Sequence, residues 1–153
     1  MLLYKSLTMF SIPRTVARAC IVQSDPFAVL LARSALPGDA GFYSLPGGGV
    51  SRHESPKDAL FRELEEELSI TGSSITRAAA AFAHPLQYHQ RFLGMPFLHT
   101  AYVYTVSVRA DTTISPNWEI TDVYWAQATE VLQLLHPRYR PLVPPDYTAP
   151  HLL

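Results

Sequence analysis

Residues 48–70 read GGVSRHESPKDALFRELEEELSI, a glycine turn followed by a capped helix that carries a run of acids. Ser55-Pro56 opens the helix: a serine hydroxyl satisfies an exposed amide there, and proline suits the first helical position, where its missing N–H costs nothing. The helix is predicted over 56–69, stopping before Thr71-Gly72-Ser73. At about 100° of rotation per residue, Glu63, Glu66 and Glu67 fall within a wedge of about 100°. Leu60, Phe61, Leu64 and Leu68 form the neighbouring stripe, so the acids edge a face that packs on a core. Glu65 points the opposite way, to solvent.

Carboxylates at i, i+3 and i+4 repel one another, so this helix calls for a compensating cation. Arg62, beside Glu63 and four residues from Glu66, offsets part of the repulsion. A hard divalent ion, Mg²⁺ or Mn²⁺, does it better, because carboxylate oxygens suit it and it completes its shell with water and phosphate oxygens. The glycines ahead of the helix let backbone groups approach such an ion closely. A solvated acidic helix is the plain alternative. The spacing argues against it, since this pattern of Gly, Glu, Arg and apolar positions recurs by chance on the order of once in 10⁸ starting points.

The segment resembles the signature of the Nudix hydrolases, Gly-x5-Glu-x7-Arg-Glu-U-x-Glu-Glu-x-Gly-U, where U is bulky and aliphatic. Gly48, Glu54, Arg62, Glu63, Leu64, Glu66, Glu67 and Ile70 match, and Ser69 stands where the family has glycine. The resemblance implies an α+β fold, an α/β/α sandwich around a mixed β-sheet in a single domain. It implies hydrolysis of a nucleoside diphosphate linked to another group. It also implies roles: Glu63 and Glu67 as principal metal ligands, Glu66 sharing a metal or acting as base, and the Gly47 carbonyl as a further ligand. Arg62 then orients the glutamates, while Gly48 and Glu54 support them from the loop. The implied cation clamps adjacent phosphates and acidifies a water for attack on phosphorus.

Outward from this segment, Thr15–Gln23 and Ala28–Arg33 are apolar and β-branched and flank Ser24-Asp25-Pro26, which predicts a hairpin. Phe42–Leu45 predicts a short strand ending at Pro46 and the glycines. Ile75–Ala83 is read as a strand closed by His84-Pro85, Leu98–Val108 as the clearest strand, Val123–Ala126 as another, and Thr129–Leu135 as a short helix. The domain is drawn over 1–140. From 141 to 153, Pro141, Pro144, Pro145 and Pro150 exclude regular helix and central strand. That tail is read as an extended arm, packed on the domain or on the partner of a homodimer, or else disordered.

Further site candidates come from loops. The resemblance also implies a further acid from a late loop as ligand or base; of Glu119 and Asp122, Glu119 is preferred for it, and Trp118 offers a stacking face for a nucleobase. Tyr88 and Arg91, near His84 and His89, are placed in a loop that contributes to substrate binding. Histidine spacing gives little support for a histidine metal site. Pro85 resembles a placement seen in ADP-ribose-hydrolysing members of the family.

Across its 153 residues the chain carries a formal charge of −1 and is 48% hydrophobic. That balance suits a single core and gives no field to recruit nucleic acid or an anionic membrane. One cysteine, Cys20, excludes an intramolecular disulfide and a multi-cysteine zinc site. No membrane span or signal peptide is read, so the expected setting is cytoplasmic and the expected partner a small nucleotide. ADP-ribose or a nucleotide sugar is placed ahead of an oxidised triphosphate such as 8-oxo-dGTP. A nucleotide sensor without turnover is the alternative of another class. The isomerase branch of the fold needs a catalytic cysteine, a role that Cys20, ahead of the motif, does not support.

Overall fold

Alternation along the first strand, β1 (Ile12–Ser24), divides its side chains between two cores. Ala17, Ala19 and Ile21 enter one and Val16 and Cys20 the other, as a period of two requires. The structure, a computed structural model, describes residues 12–35, 41–92 and 95–148, the side chains of 12 and 87–97 excepted. Within it β1 pairs antiparallel with β2 (Phe27–Ser34) and β3 (Gly47–Gly49), and parallel with β5 (Met95–Val108). β4 (Ile75–Phe92) flanks β5 and β6 (Ile120–Ala126) flanks β2, giving a mixed sheet of order β4-β5-β1-β2-β6 with β3 off that path.

The acidic segment folds as the helix α1 (Pro56–Leu68), and Ser55 caps it by accepting from the Asp58 amide at 3.1 Å. Ala59, Leu60, Leu64 and Leu68 are fully buried against the sheet, each leucine contributing about 2 kcal/mol of apolar burial. The opposite face is covered by the short helix α2 (Val131–Leu134) and two 3-10 turns, Pro137–Leu142 and Pro145–Thr148. Val131, Leu135, Tyr139, Leu142 and Val143 pack there with Val16, Cys20, Val29 and Leu31. The result is the α/β/α sandwich on a mixed sheet.

Four expectations need correction. Phe42–Leu45 is not a strand: Tyr43 and Ser44 make only isolated bridges, to Leu135 and Ala32, and continuous pairing begins at the glycines themselves. A side chain at Gly47 would place its Cβ 2.1 Å from the Ala17 carbonyl oxygen, so this close strand needs bare backbone. Next, His84-Pro85 does not end β4. Pro85 pairs with Thr100, which is permitted because β4 lies at the sheet edge, where a missing amide disrupts no ladder on its outer side.

The same extension moves His84, Tyr88, His89 and Arg91 from a loop into strand. The side chains of Tyr88, His89 and Arg91 lie outside the described residues. Finally, the described part of the proline tail, 141–148, packs on the domain, as one of its readings had it, but is not an extended arm. Pro137 and Pro145 each start a 3-10 turn, where their preset φ fits, and Leu142 and Val143 are buried. Among the described residues no helix is long and apolar enough to cross a membrane.

Candidate active site

The site forms where the glycine strand crosses the edge of α1. Gly47 has φ +131°, a region open to glycine, and its amide donates to Glu67 Oε2 at 3.1 Å. Its carbonyl, expected as a metal ligand, accepts from Arg18 Nη1 at 2.8 Å. Arg18 also donates to Leu45 O at 3.0 Å and lies against the Tyr139 ring. A Cβ at Gly48 would lie 2.5 Å from the Glu63 carboxyl carbon, so the bare backbone there is what admits that carboxylate.

Arg62 gathers the acids. It donates to Glu54 through Nη2 at 2.6 Å and Nε at 3.2 Å, to Glu63 at 2.8 Å and to Glu66 at 3.4 Å, and Nη2 also reaches Gly49 O at 2.9 Å. Glu63 is well covered at 16% side-chain exposure, whereas Glu66 at 57% stands at the rim. The Arg62 guanidinium, with the Ser51 amide, holds the Glu54 carboxyl down at about 2. Glu67 behaves oppositely: burial pushes it up to about 7, the Arg18 charge and the Gly47 amide oppose the rise, and the charges of Glu63 and Glu119 add to it. Glu65 is exposed.

The C-terminal end of α1 meets the loop over 112–119. Ser69 is the one non-glycine residue at positive φ among the described residues, at φ 58° and ψ 25°. Its amide returns to Glu65 O at 3.0 Å, the bond that a left-handed cap makes. The carbonyls of Glu67 and Leu68, which a helix end leaves without intrahelical partners, accept from Asn117 N and Ser115 N, both at 2.9 Å. Asn117 Oδ1 accepts from the Glu119 amide at 2.9 Å. Trp118 is 77% exposed beside it. Asp122 instead accepts from the Tyr43 hydroxyl, so the structure separates the two late acids.

As they stand, no three Asp, Glu, His or Cys side chains among the described residues gather closely enough to grip a metal ion. Arg62 holds Glu63 and Glu66, while Glu67 turns to the Gly47 amide. The donor set nevertheless fits a hard divalent cation. Glu63, Glu66 and Glu67 offer oxygens from one helix edge, Glu67 is mostly buried, and the Gly48 backbone leaves room for the Glu63 carboxylate.

Sequence reasoning missed a basic group on the neighbouring sheet face. Arg14, Arg18 and Arg138 all bear on His99, whose imidazole is pushed down to about 4, first by burial and then by these charges. The signal was available, because Arg14, Val16 and Arg18 share a strand face by period. A cleft of about 510 Å³ opens beside the glycine loop, lined among others by Arg14, Arg52, Glu54 and Tyr102. A second recess, of about 670 Å³, lies at the β1–β2 turn around Asp25, Phe27 and Trp125, roughly 20 Å along β1 from the glycines. Cys20 is buried and its thiol pushed up to about 12, which leaves it inert.

A model of the NUDIX domain matches residues 13–145. Nudix hydrolase 25 of Arabidopsis thaliana is 34% identical over 56 residues, a match covering 37% of this chain and 30% of that protein. Among solved structures, the NUDIX domain of Shewanella oneidensis NrtR complexed with ADP ribose is similar at a TM-score of 0.67. It is 17% identical, over 95% of this chain and 92% of that one. The MutT protein from Methanosarcina mazei Go1 reaches a TM-score of 0.64 at 23% identity, covering 90% and 91%. At these identities the two structures speak for the fold.

Proposed function

The chain belongs to the Nudix family, and from that premise we propose that it is a Mg²⁺- or Mn²⁺-dependent pyrophosphohydrolase. Its substrate is a small nucleoside diphosphate derivative, ADP-ribose or a nucleotide sugar ahead of an oxidised triphosphate. The carrying observation is Glu67: a mostly buried carboxylate on the helix edge shared with Glu63 and Glu66, held against the Gly47 amide at 3.1 Å. Burying such a group is costly, and a divalent cation would offset that cost beyond what the Arg18 charge and the Gly47 amide supply.

Glu63 and Glu67 would hold the ion, with Glu66 at the rim, and the ion when bound supplies charge neutralisation for adjacent phosphates and an acidified water. Arg62 gathers and orients the carboxylates through its bonds to Glu54, Glu63 and Glu66. Glu119, whose charge acts on Glu67, is the proposed late acid, taking up a proton from the attacking water. Arg14 and Arg52 in the adjoining cleft suit the substrate's phosphates, and exposed Trp118 suits a base. Preference for ADP-ribose draws on the position of Pro85 and on the ligand held by the Shewanella domain.

The test is a product assay over a panel of nucleotides with either metal. Release of a monophosphate plus a phosphorylated second moiety supports this reading. Release of inorganic pyrophosphate from triphosphates alone transfers the protein to the sanitising class. Binding without cleavage of any anhydride makes it a sensor.

A further inference from the structure

We propose that Ser69 is a positioning residue whose hydroxyl holds the 112–119 loop on the end of α1 and so fixes Glu119 and Trp118 beside Glu67. Its position calls for glycine: the backbone is left-handed at φ 58°, where a Cβ is unfavourable. A glycine would relieve that strain and close the helix through the same amide. It lacks an Oγ, and Ser69 Oγ donates to the Ser115 carbonyl at 3.1 Å.

That bond does not act alone. The Ser115 amide donates to Leu68 O and the Asn117 amide to Glu67 O, both at 2.9 Å, so with the bond that Ser69 donates the loop shares three bonds with consecutive residues of the helix end. One of them falls on the backbone of Glu67. Asn117 then carries the connection onward: its side chain accepts from the Glu119 amide at 2.9 Å and its carbonyl from the Ile120 amide at 3.3 Å. The Glu119 carbonyl accepts from Ala35 N at 2.7 Å. The turn that presents Trp118 and Glu119 is therefore held by Asn117 and by Ala35, the residue after β2, on one side, and on the other by the helix end where Ser69 contributes the side-chain bond. Ser69 and Ser115 are both exposed, so the hydroxyl acts as a latch on the loop and not as a core contact.

The kinetic part of this inference rests on the hydrolase reading; the docking part does not. Full-length wild type, Ser69→Gly and Ser69→Ala are compared by amide hydrogen exchange and by kcat and KM on the best substrate of the panel. In both variants the Ser115 and Asn117 amides are expected to exchange about 3- to 10-fold faster, the factor one net hydrogen bond supplies. In Ser69→Gly the amides at positions 69 and 70 stay protected. kcat falls by a similar factor, while a purely structural helix cap predicts no loss in the glycine variant, whose strain is relieved. Unchanged exchange at Ser115 and Asn117, or an unchanged kcat in Ser69→Gly, overturns the proposal. If wild type cleaves nothing, the hydrolase reading fails, and the exchange data alone still decide whether the hydroxyl latches the loop.

Discussion

The amide of Gly47 donates to Glu67 Oε2 at 3.1 Å, tying the glycine strand to the acidic edge of α1 through a backbone that has no room for a side chain. A Cβ at Gly47 would meet the Ala17 carbonyl oxygen at 2.1 Å, and φ is +131°. Gly47→Ala is therefore expected to lose about 2–4 kcal/mol in urea unfolding. A loss below about 1 kcal/mol would mean that the close strand is not needed.

Glu67→Gln keeps the shape of the side chain and removes its charge. Turnover is expected to fall at least about 100-fold, with the far-UV spectrum and urea midpoint of a folded protein. In wild type the cation competes with the proton that burial retains on Glu67 up to about pH 7. Mn²⁺ affinity should rise with pH up to about 7 and level off above it. An affinity flat from pH 5 to 8 argues against Glu67 as a ligand.

Arg62 makes a fork with Glu54 while also reaching Glu63 and Glu66. Lysine keeps the charge and loses the fork. Because the network is partly exposed, Arg62→Lys should change stability by less than about 1 kcal/mol while lowering kcat roughly 10-fold or more through misplaced glutamates. Equal kcat in the two proteins would leave Arg62 without an orienting role.

His99 is buried among Arg14, Arg18 and Arg138, and its imidazole is pushed down from 6.5 to about 4. The folded state keeps it neutral where the unfolded chain takes up a proton. Its stabilising effect is fully present above about pH 6.5 and is lost as pH falls toward 4, amounting to about 3 kcal/mol. Urea unfolding from pH 7 to 4 measures this. His99→Gln should flatten the slope, and an unaltered slope assigns the acid sensitivity elsewhere.

How much could be read ahead depends on whether the cause was local. The start of α1 was legible because Ser55 and Pro56 act on their own turn, and the shared edge of Glu63, Glu66 and Glu67 follows from helical geometry. The strands around Val16, Leu30 and Val103 were legible from their residue types. Pro85 misled because a proline stops a central strand but not an edge strand, and edge position is a property of the assembled sheet. The glycines at 47–49 read as a loop because only the neighbouring β1 backbone makes a strand of them.

The sequence by itself determined the acidic helix, its cap, the strands that bury it and the family whose signature it carries, since each depends on residues a few positions apart. Tertiary structure alone decided that Glu67 is mostly buried on the Gly47 amide, that Arg18 occupies the Gly47 carbonyl, and that Ser69 meets Ser115 across 46 positions. The physical reason is that burial and hydrogen-bond partners are set by which backbones the sheet brings together, and no local pattern of residues carries that information.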